Sequence, residues 1–130
     1  MPNSVKLFEQ LLNVTNTLKS KNLIILVETT NAIEKAKAFV RACIAKDIPI
    51  REAILFGSYA KGEERQYSDI DLALVSDAFT LNFIENNHKT ALINYRFSDI
   101  EVHHFNTKYF ERELPFLNEI KRTGIKIYQL

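Results

Sequence analysis

Gly57-Ser58 and, after ten intervening residues, Asp69 and Asp71 are the residues of this chain whose types and spacing can do chemistry. The stretch opens Leu55-Phe56-Gly57-Ser58-Tyr59-Ala60-Lys61-Gly62 and closes Ser68-Asp69-Ile70-Asp71-Leu72-Ala73-Leu74-Val75. An apolar strand runs into a Gly-Ser turn, and a second apolar strand begins with two carboxylates. Glycine at the turn lets the backbone bend sharply and approach a ligand closely, and Ser58 adds a hydroxyl. If Tyr59 starts a helical turn, its free N–H groups face the same ligand, an arrangement that suits phosphate. Asp69 and Asp71 sit two apart, so on a strand they share a face, with Cα atoms about 7 Å apart. Two ionised carboxylates that close repel unless a cation lies between them, and hard oxygen donors favour Mg²⁺ or Mn²⁺. A phosphate turn beside a metal-binding pair points to nucleotide chemistry.

A third carboxylate is expected from a neighbouring strand, about 4.8 Å away. Ser98-Asp99-Ile100-Glu101-Val102-His103 alternates polar and apolar residues, so Asp99, Glu101 and His103 share one face. Glu101 or Asp99 can then complete a two-metal site suited to in-line phosphoryl or nucleotidyl transfer. Other phosphate loops fail on inspection. Gly57 and Gly62 have the spacing of a P-loop, but Glu63-Glu64 stand where Lys-Ser/Thr is needed. The dinucleotide fingerprint needs a third glycine nearby, and the last of the three is Gly124. His103 and His104 are adjacent and face opposite ways on a strand, so they do not chelate one metal together; His103 shares the face of Glu101. His88 reads as a surface residue, and Arg65 and Tyr67 as a solvent loop.

The elements that must hold these residues follow from periodicity. Ser4 to Lys19 reads as an amphipathic helix through Leu7, Phe8, Leu11, Leu12 and Leu18. Leu23 to Glu28 is compatible with a strand or a continuing helix. Asn31 to Ala45 reads as a helix, with Asn31 and Glu34 as a capping pair and Ile33, Ala36, Phe39, Val40, Cys43 and Ile44 as its apolar stripe. Strands are predicted at Glu52–Phe56, Asp69–Val75, Ser98–His104 and Ile125–Tyr128. Between them, Phe79 to Asn94 is predicted helical, Asn106 caps a short helix over 108–113, and Pro115 opens another that Gly124 stops. Phe79, Phe83, Phe97, Phe110 and Phe116 read as core residues. Strands mixed with helices argue an α+β fold, a mixed sheet covered by helices.

The 130 residues suit one domain with a single core, and 46% apolar residues argue a packed fold. Lys plus Arg number 17 against 16 Asp plus Glu, so overall charge does not indicate nucleic-acid or membrane binding. The single cysteine, Cys43, suits a reducing cytoplasm and a buried apolar position. The amino end carries Lys6 and Glu9 among its apolar residues, unlike a signal peptide, and no apolar run is long enough to span a bilayer.

At the Gly57-Ser58 and Asp69-x-Asp71 positions the chain resembles the DNA polymerase beta-like nucleotidyltransferase superfamily, and in particular its stand-alone minimal nucleotidyltransferases. The resemblance spans roughly residues 31–130 and leaves 1–30 as a helical extension of a single 1–130 domain. It implies a nucleotidyltransferase fold with a mixed sheet of about four to five strands. It assigns Asp69, Asp71 and Glu101 to metal binding and catalysis, with Asp99 in reserve, and Gly57, Ser58, Lys61 and Ser68 to nucleotide binding. Lys61 stands where the family commonly has Arg, keeping the charge without the planar fork, and Glu101 replaces the commoner Asp. The implied activity is Mg²⁺- or Mn²⁺-dependent transfer of a nucleoside monophosphate, AMP from ATP, to an acceptor. Larger relatives carry acceptor-binding domains for which this chain has no room, so the acceptor is expected on a partner. Small members of this kind pair with a helical HEPN-type protein as toxin and antitoxin. The alternatives are a non-catalytic module that neutralises its partner by contact, and a transferase acting on a small molecule or RNA end. A homo-oligomer built through the first helix or the last strand is compatible with the pattern.

Overall fold

The computed structural model describes residues 2–62 and 69–130, with side chains from residue 20 onward. Ser68, Arg65 and Tyr67 lie outside the described residues, as do the side chains assigned to the first helix.

No glycine or proline occurs between residues 3 and 45, and the chain forms one 44-residue helix, α1 (Pro2–Ala45), with nothing to break it. Leu23 to Glu28 is therefore helical, and Asn31 is an interior helical residue rather than a cap. The inward face of α1 carries buried Ala32, Ala36, Phe39, Val40 and Cys43 at helical spacing. Ile44, read as part of that stripe, is exposed, as are Leu23, Ile24, Leu26 and Val27 further back. Asp47 ends the helix with φ 61°, and Ile48 N–H donates to Cys43 O at 3.0 Å.

β1 (Glu52–Phe56) leads through the short helix α2 (Ser58–Lys61) toward β2 (Ile70–Ser76). Helix α3 (Phe83–Arg96) then crosses to β3 (Ile100–Asn106), and α4 (Thr107–Phe110), α5 (Pro115–Thr123) and β4 (Ile125–Gln129) complete the chain. The four strands form one mixed sheet in the order β3-β2-β1-β4. β1 pairs antiparallel with both β2 and β4, while β2 and β3 run parallel, joined by the α3 crossover. The result is the expected α+β mixed sheet flanked by helices. Among the described residues no helix is long and apolar enough to cross a membrane.

α3 starts four residues later than its periodicity suggests, because Asn82 supplies the cap: its Oδ1 accepts from Glu85 N–H at 3.0 Å. Phe79 therefore precedes the helix, yet it is buried. Phe110 is also core, but Phe83 and Phe116 are 73% and 55% exposed, which corrects their assignment to the interior. Asn106 caps α4 as its sequence suggests, accepting from Lys108 N–H and Tyr109 N–H. Gly124 stops α5 for a reason of space rather than left-handed conformation. Its φ is −73°, and a Cβ there would stand 2.3 Å from Ile54 Cγ2.

Both faces of the sheet are covered. Ala53, Leu55, Ile70, Leu72, Leu74 and Ile100 pack against α1 and against Phe79 and Ile93. On the opposite face, Ile54, Phe56, Ala73 and Val75 pack against Phe110, Leu117 and Ile120 of α4 and α5. β2 is thus a central strand buried on both sides, and its run from Leu72 to Val75 is continuously apolar.

Candidate active site

The buried run of β2 ends at Asp71, where the α5-covered face gives way to solvent. Asp71 pairs in register with Phe56 of β1 and with Glu101 of β3, and Ala73 pairs with His103. Side chains in register on neighbouring strands project to one face. Parallel pairing of β2 with β3 therefore sets Asp71, Glu101 and His103 side by side on that face. One ligand atom from each lies within 4.8 Å of the others. Asp71 is 27% exposed and Glu101 57%, a partly buried carboxylate beside one that reaches outward.

Gly57 ties the first motif to the second. Its φ of 73° and ψ of −148° lie in a region that side chains other than hydrogen rarely adopt. A Cβ at this position would stand 2.4 Å from Asp71 Oδ2. The turn that begins α2 therefore lies directly against the Asp71 carboxylate, and only glycine permits the approach. Ser58 follows as the first residue of α2. Lys61 at the other end of α2 reaches Glu119 of α5, Nζ to Oε1 at 3.8 Å. Glu119 is itself held by Arg122 at 2.7 Å, and that hydrogen bond and charge keep its carboxyl below the usual range. Lys61 is thus the looser partner on an exposed carboxylate.

The two candidates for a third carboxylate separate cleanly. Glu101 is the residue paired with Asp71. Asp99 lies just before β3, where its carboxylate takes an ion pair from Lys35 of α1. Asp69 is exposed one residue before β2 and lies outside the three-residue cluster.

His103 joins the cluster more intimately than its sequence position suggested. Its Nε2 lies 3.2 Å from Asp71 Oδ1 and 4.0 Å from Glu101 Oε1. Its ring meets Phe56 edge to face at 4.9 Å. The signal available in sequence was the shared face with Glu101; what sequence could not give was the register, which sets His103 opposite the small Ala73. His104 points the other way, as alternation requires. Its Nε2 lies 2.8 Å from Thr90 Oγ1 and its ring packs on Phe79. Burial, followed by the neighbouring His103, pushes its pKa down to about 4. Beside β3, a groove of about 610 Å³ opens next to the cluster, lined in part by Glu101, His103, Asn106, Tyr109 and Phe116.

Residues 40–130 match the family model for polymerase beta nucleotidyltransferases. The chain belongs to the polymerase beta nucleotidyltransferase family. The matched region contains every element of the candidate site described above and leaves most of α1 outside. No curated protein matches the chain. Among solved structures, it is similar to a protein from Sulfolobus solfataricus described as a nucleotidyltransferase. That match has a TM-score of 0.62 at 15% identity and covers 81% of this chain and 86% of the other. It is similar, at TM-score 0.52 and 22% identity, to a chain of a toxin–antitoxin complex with AMP-PNP, covering 72% of this chain and 73% of that one. A third similarity is to a chain from a complex of tri-AMPylated Shewanella oneidensis HEPN toxin with MNT antitoxin. Its TM-score is 0.50 at 18% identity, with 75% and 73% of the two chains covered. These likenesses establish a common fold.

Proposed function

We propose that this nucleotidyltransferase is catalytically competent and transfers AMP from ATP to a hydroxyl of a HEPN-type partner protein, acting as the antitoxin of a toxin–antitoxin pair. The observation that carries the reading is the placement of the Gly57 turn against Asp71, with Glu101 in register beside it. A nucleotide-binding turn and a carboxylate pair are useful to each other only at this range.

The donor set fits a divalent cation: Asp71 and Glu101 offer hard oxygens in one cluster, and Asp69 stands at the strand mouth as a further carboxylate. Mg²⁺ or Mn²⁺ bound there supplies charge neutralisation at the leaving pyrophosphate and a lowered pKa for the acceptor hydroxyl. Gly57 lets the turn lie against the Asp71 carboxylate without a clash, so that turn and carboxylate can face the same phosphates. Ser58, Lys61 and Ser68 supply hydroxyl and ammonium donors to those phosphates. In the reaction the acceptor oxygen bonds to the α-phosphorus as the bond from that phosphorus to the β-bridging oxygen breaks. Pyrophosphate leaves, and the hydroxyl proton passes to solvent. The open groove beside Glu101 gives the acceptor a route to the site. The partner half of the reading is supported by the two toxin–antitoxin neighbours, one with AMP-PNP and one with an AMPylated HEPN toxin.

The test is label transfer from α-labelled ATP to a HEPN-type partner protein. Substituting Asp69→Asn together with Asp71→Asn is expected to abolish labelling and to release the partner's toxicity. Labelling that persists in the double variant overturns the mechanism. Neutralisation by contact is a second reading, favoured by exposed Leu23, Ile24, Leu26 and Val27 on α1. It requires that the same double variant still silence the partner.

A further inference from the structure

We propose that His103 is a metal ligand in its own right, and that its Nε2 turns the Asp71–Glu101 pair into a mixed nitrogen–oxygen site that selects Mn²⁺ over Mg²⁺. The inference rests on the reading of Asp71 and Glu101 as the cation-binding carboxylates and adds a third donor that the motif does not contain. The juxtaposition is direct: His103 Nε2 is the atom of the ring that faces both carboxylates, at 3.2 Å from Asp71 and 4.0 Å from Glu101.

Three features hold the imidazole in that position. Parallel register places His103 two residue pairs along from Asp71 and Glu101, and so on their face of the sheet. Its register partner is Ala73, a small, fully buried residue, so the ring can lean along β2 toward Asp71. Phe56, the β1 partner of Asp71, backs the ring edge to face. A side chain fixed this way loses little freedom on binding, which favours a ligand role. Among the described residues no lysine or arginine pairs with Asp71 or Glu101; the imidazole is the group that approaches both.

The chemistry follows from donor type. Mg²⁺ keeps a nearly ideal octahedron of oxygens and parts reluctantly with its water, whereas Mn²⁺ and later divalent ions accept imidazole nitrogen. In the metal-free protein Nε2–H can donate to Asp71 Oδ1. A coordinating Nε2 presents its lone pair instead, and the ring proton resides on Nδ1. The neighbouring imidazole, His104, is turned to the opposite face and bonded to Thr90, so it offers no competing nitrogen.

The test uses metal alone, without nucleotide. Electron spin-echo spectra of the wild-type protein with Mn²⁺ are expected to show ¹⁴N modulation from a coordinated imidazole. Calorimetric titrations with MnCl₂ and MgCl₂ are expected to show His103→Gln weakening Mn²⁺ about tenfold and Mg²⁺ less than about twofold. His103→Asn serves as a second variant, and thermal unfolding confirms that both are folded. Mn²⁺ bound by the wild type without ¹⁴N modulation, or equal weakening of both ions in folded variants, overturns the role of His103 and leaves the carboxylate site standing. Mn²⁺ binding that survives Asp71→Asn with Glu101→Gln, or no binding by the wild type, overturns the carboxylate site itself and the inference with it.

Discussion

Gly57 meets two requirements that no other residue satisfies together. Its φ of 73° with ψ of −148° belongs to glycine, and the space a Cβ would need is taken by Asp71 Oδ2, 2.4 Å away. Gly57→Ala is expected to cost about 1–3 kcal/mol from backbone strain alone, with the clash displacing the Asp71 carboxylate. Urea denaturation should register the first effect and label transfer the second, with activity lost beyond what unfolding explains. An alanine variant as stable and active as wild type would show that turn and carboxylate are not in contact. At this scale much of the site was legible in sequence. Gly57, Asp71 and Glu101 come together as their spacing and strand alternation imply, whereas Asp99 is paired with Lys35, a contact across 64 residues of chain. The place of His103 depends on which residue lies opposite it, and register between strands joined by a helix is not written in either strand alone.

At the scale of elements, the ends of helices show what local chemistry can and cannot decide. Asn106 and Asn82 cap α4 and α3, respectively, through their own side chains, and only the first was read from sequence. Asn82 was missed because apolar Phe79 suggested an earlier start, although its burial comes from tertiary packing rather than from helix periodicity. α1 runs unbroken past Asn31 because capping residues signal a helix start only where something else stops the preceding turn, and no glycine or proline does so. Its far end does carry a cost. Asp47 holds the left-handed position, φ 61°, while Ile48 N–H closes the turn onto Cys43 O. Asp47→Gly relieves that strain and is expected to raise stability by about 0.5–1 kcal/mol. A higher urea midpoint with unchanged slope checks it. No gain would mean that the aspartate side chain compensates for its own backbone.

For the whole molecule, the sheet separates two histidines that are neighbours in the chain, and their different surroundings make stability depend on pH. His103 stands at the open face with the carboxylates, whereas His104 is enclosed by α3, bonded to Thr90 and packed on Phe79. Burial is the larger cause and the neighbouring His103 the smaller, and together they lower the His104 pKa from 6.5 to about 4. The folded chain thus keeps His104 neutral where the unfolded chain would protonate it. Between these two values the unfolded state binds more protons, so stability rises with pH across the interval. The contribution is complete above pH 6.5, falls away as the pH drops toward 4, and has a ceiling of roughly 3 kcal/mol, reduced by the part of the ring that solvent reaches. Unfolding at a series of pH values from 7.5 to about 4 should therefore lose stability steadily in the wild type. His104→Gln can keep a hydrogen bond to Thr90 but cannot take up the proton, so its profile is expected to be flatter over the same range. The difference between the two profiles isolates His104 from carboxylates titrating in both proteins. Parallel profiles would place the acid sensitivity elsewhere, whereas divergence confined to pH 4–6.5 would show that the closed face of the sheet, opposite the candidate site, excludes a charge for the fold to persist.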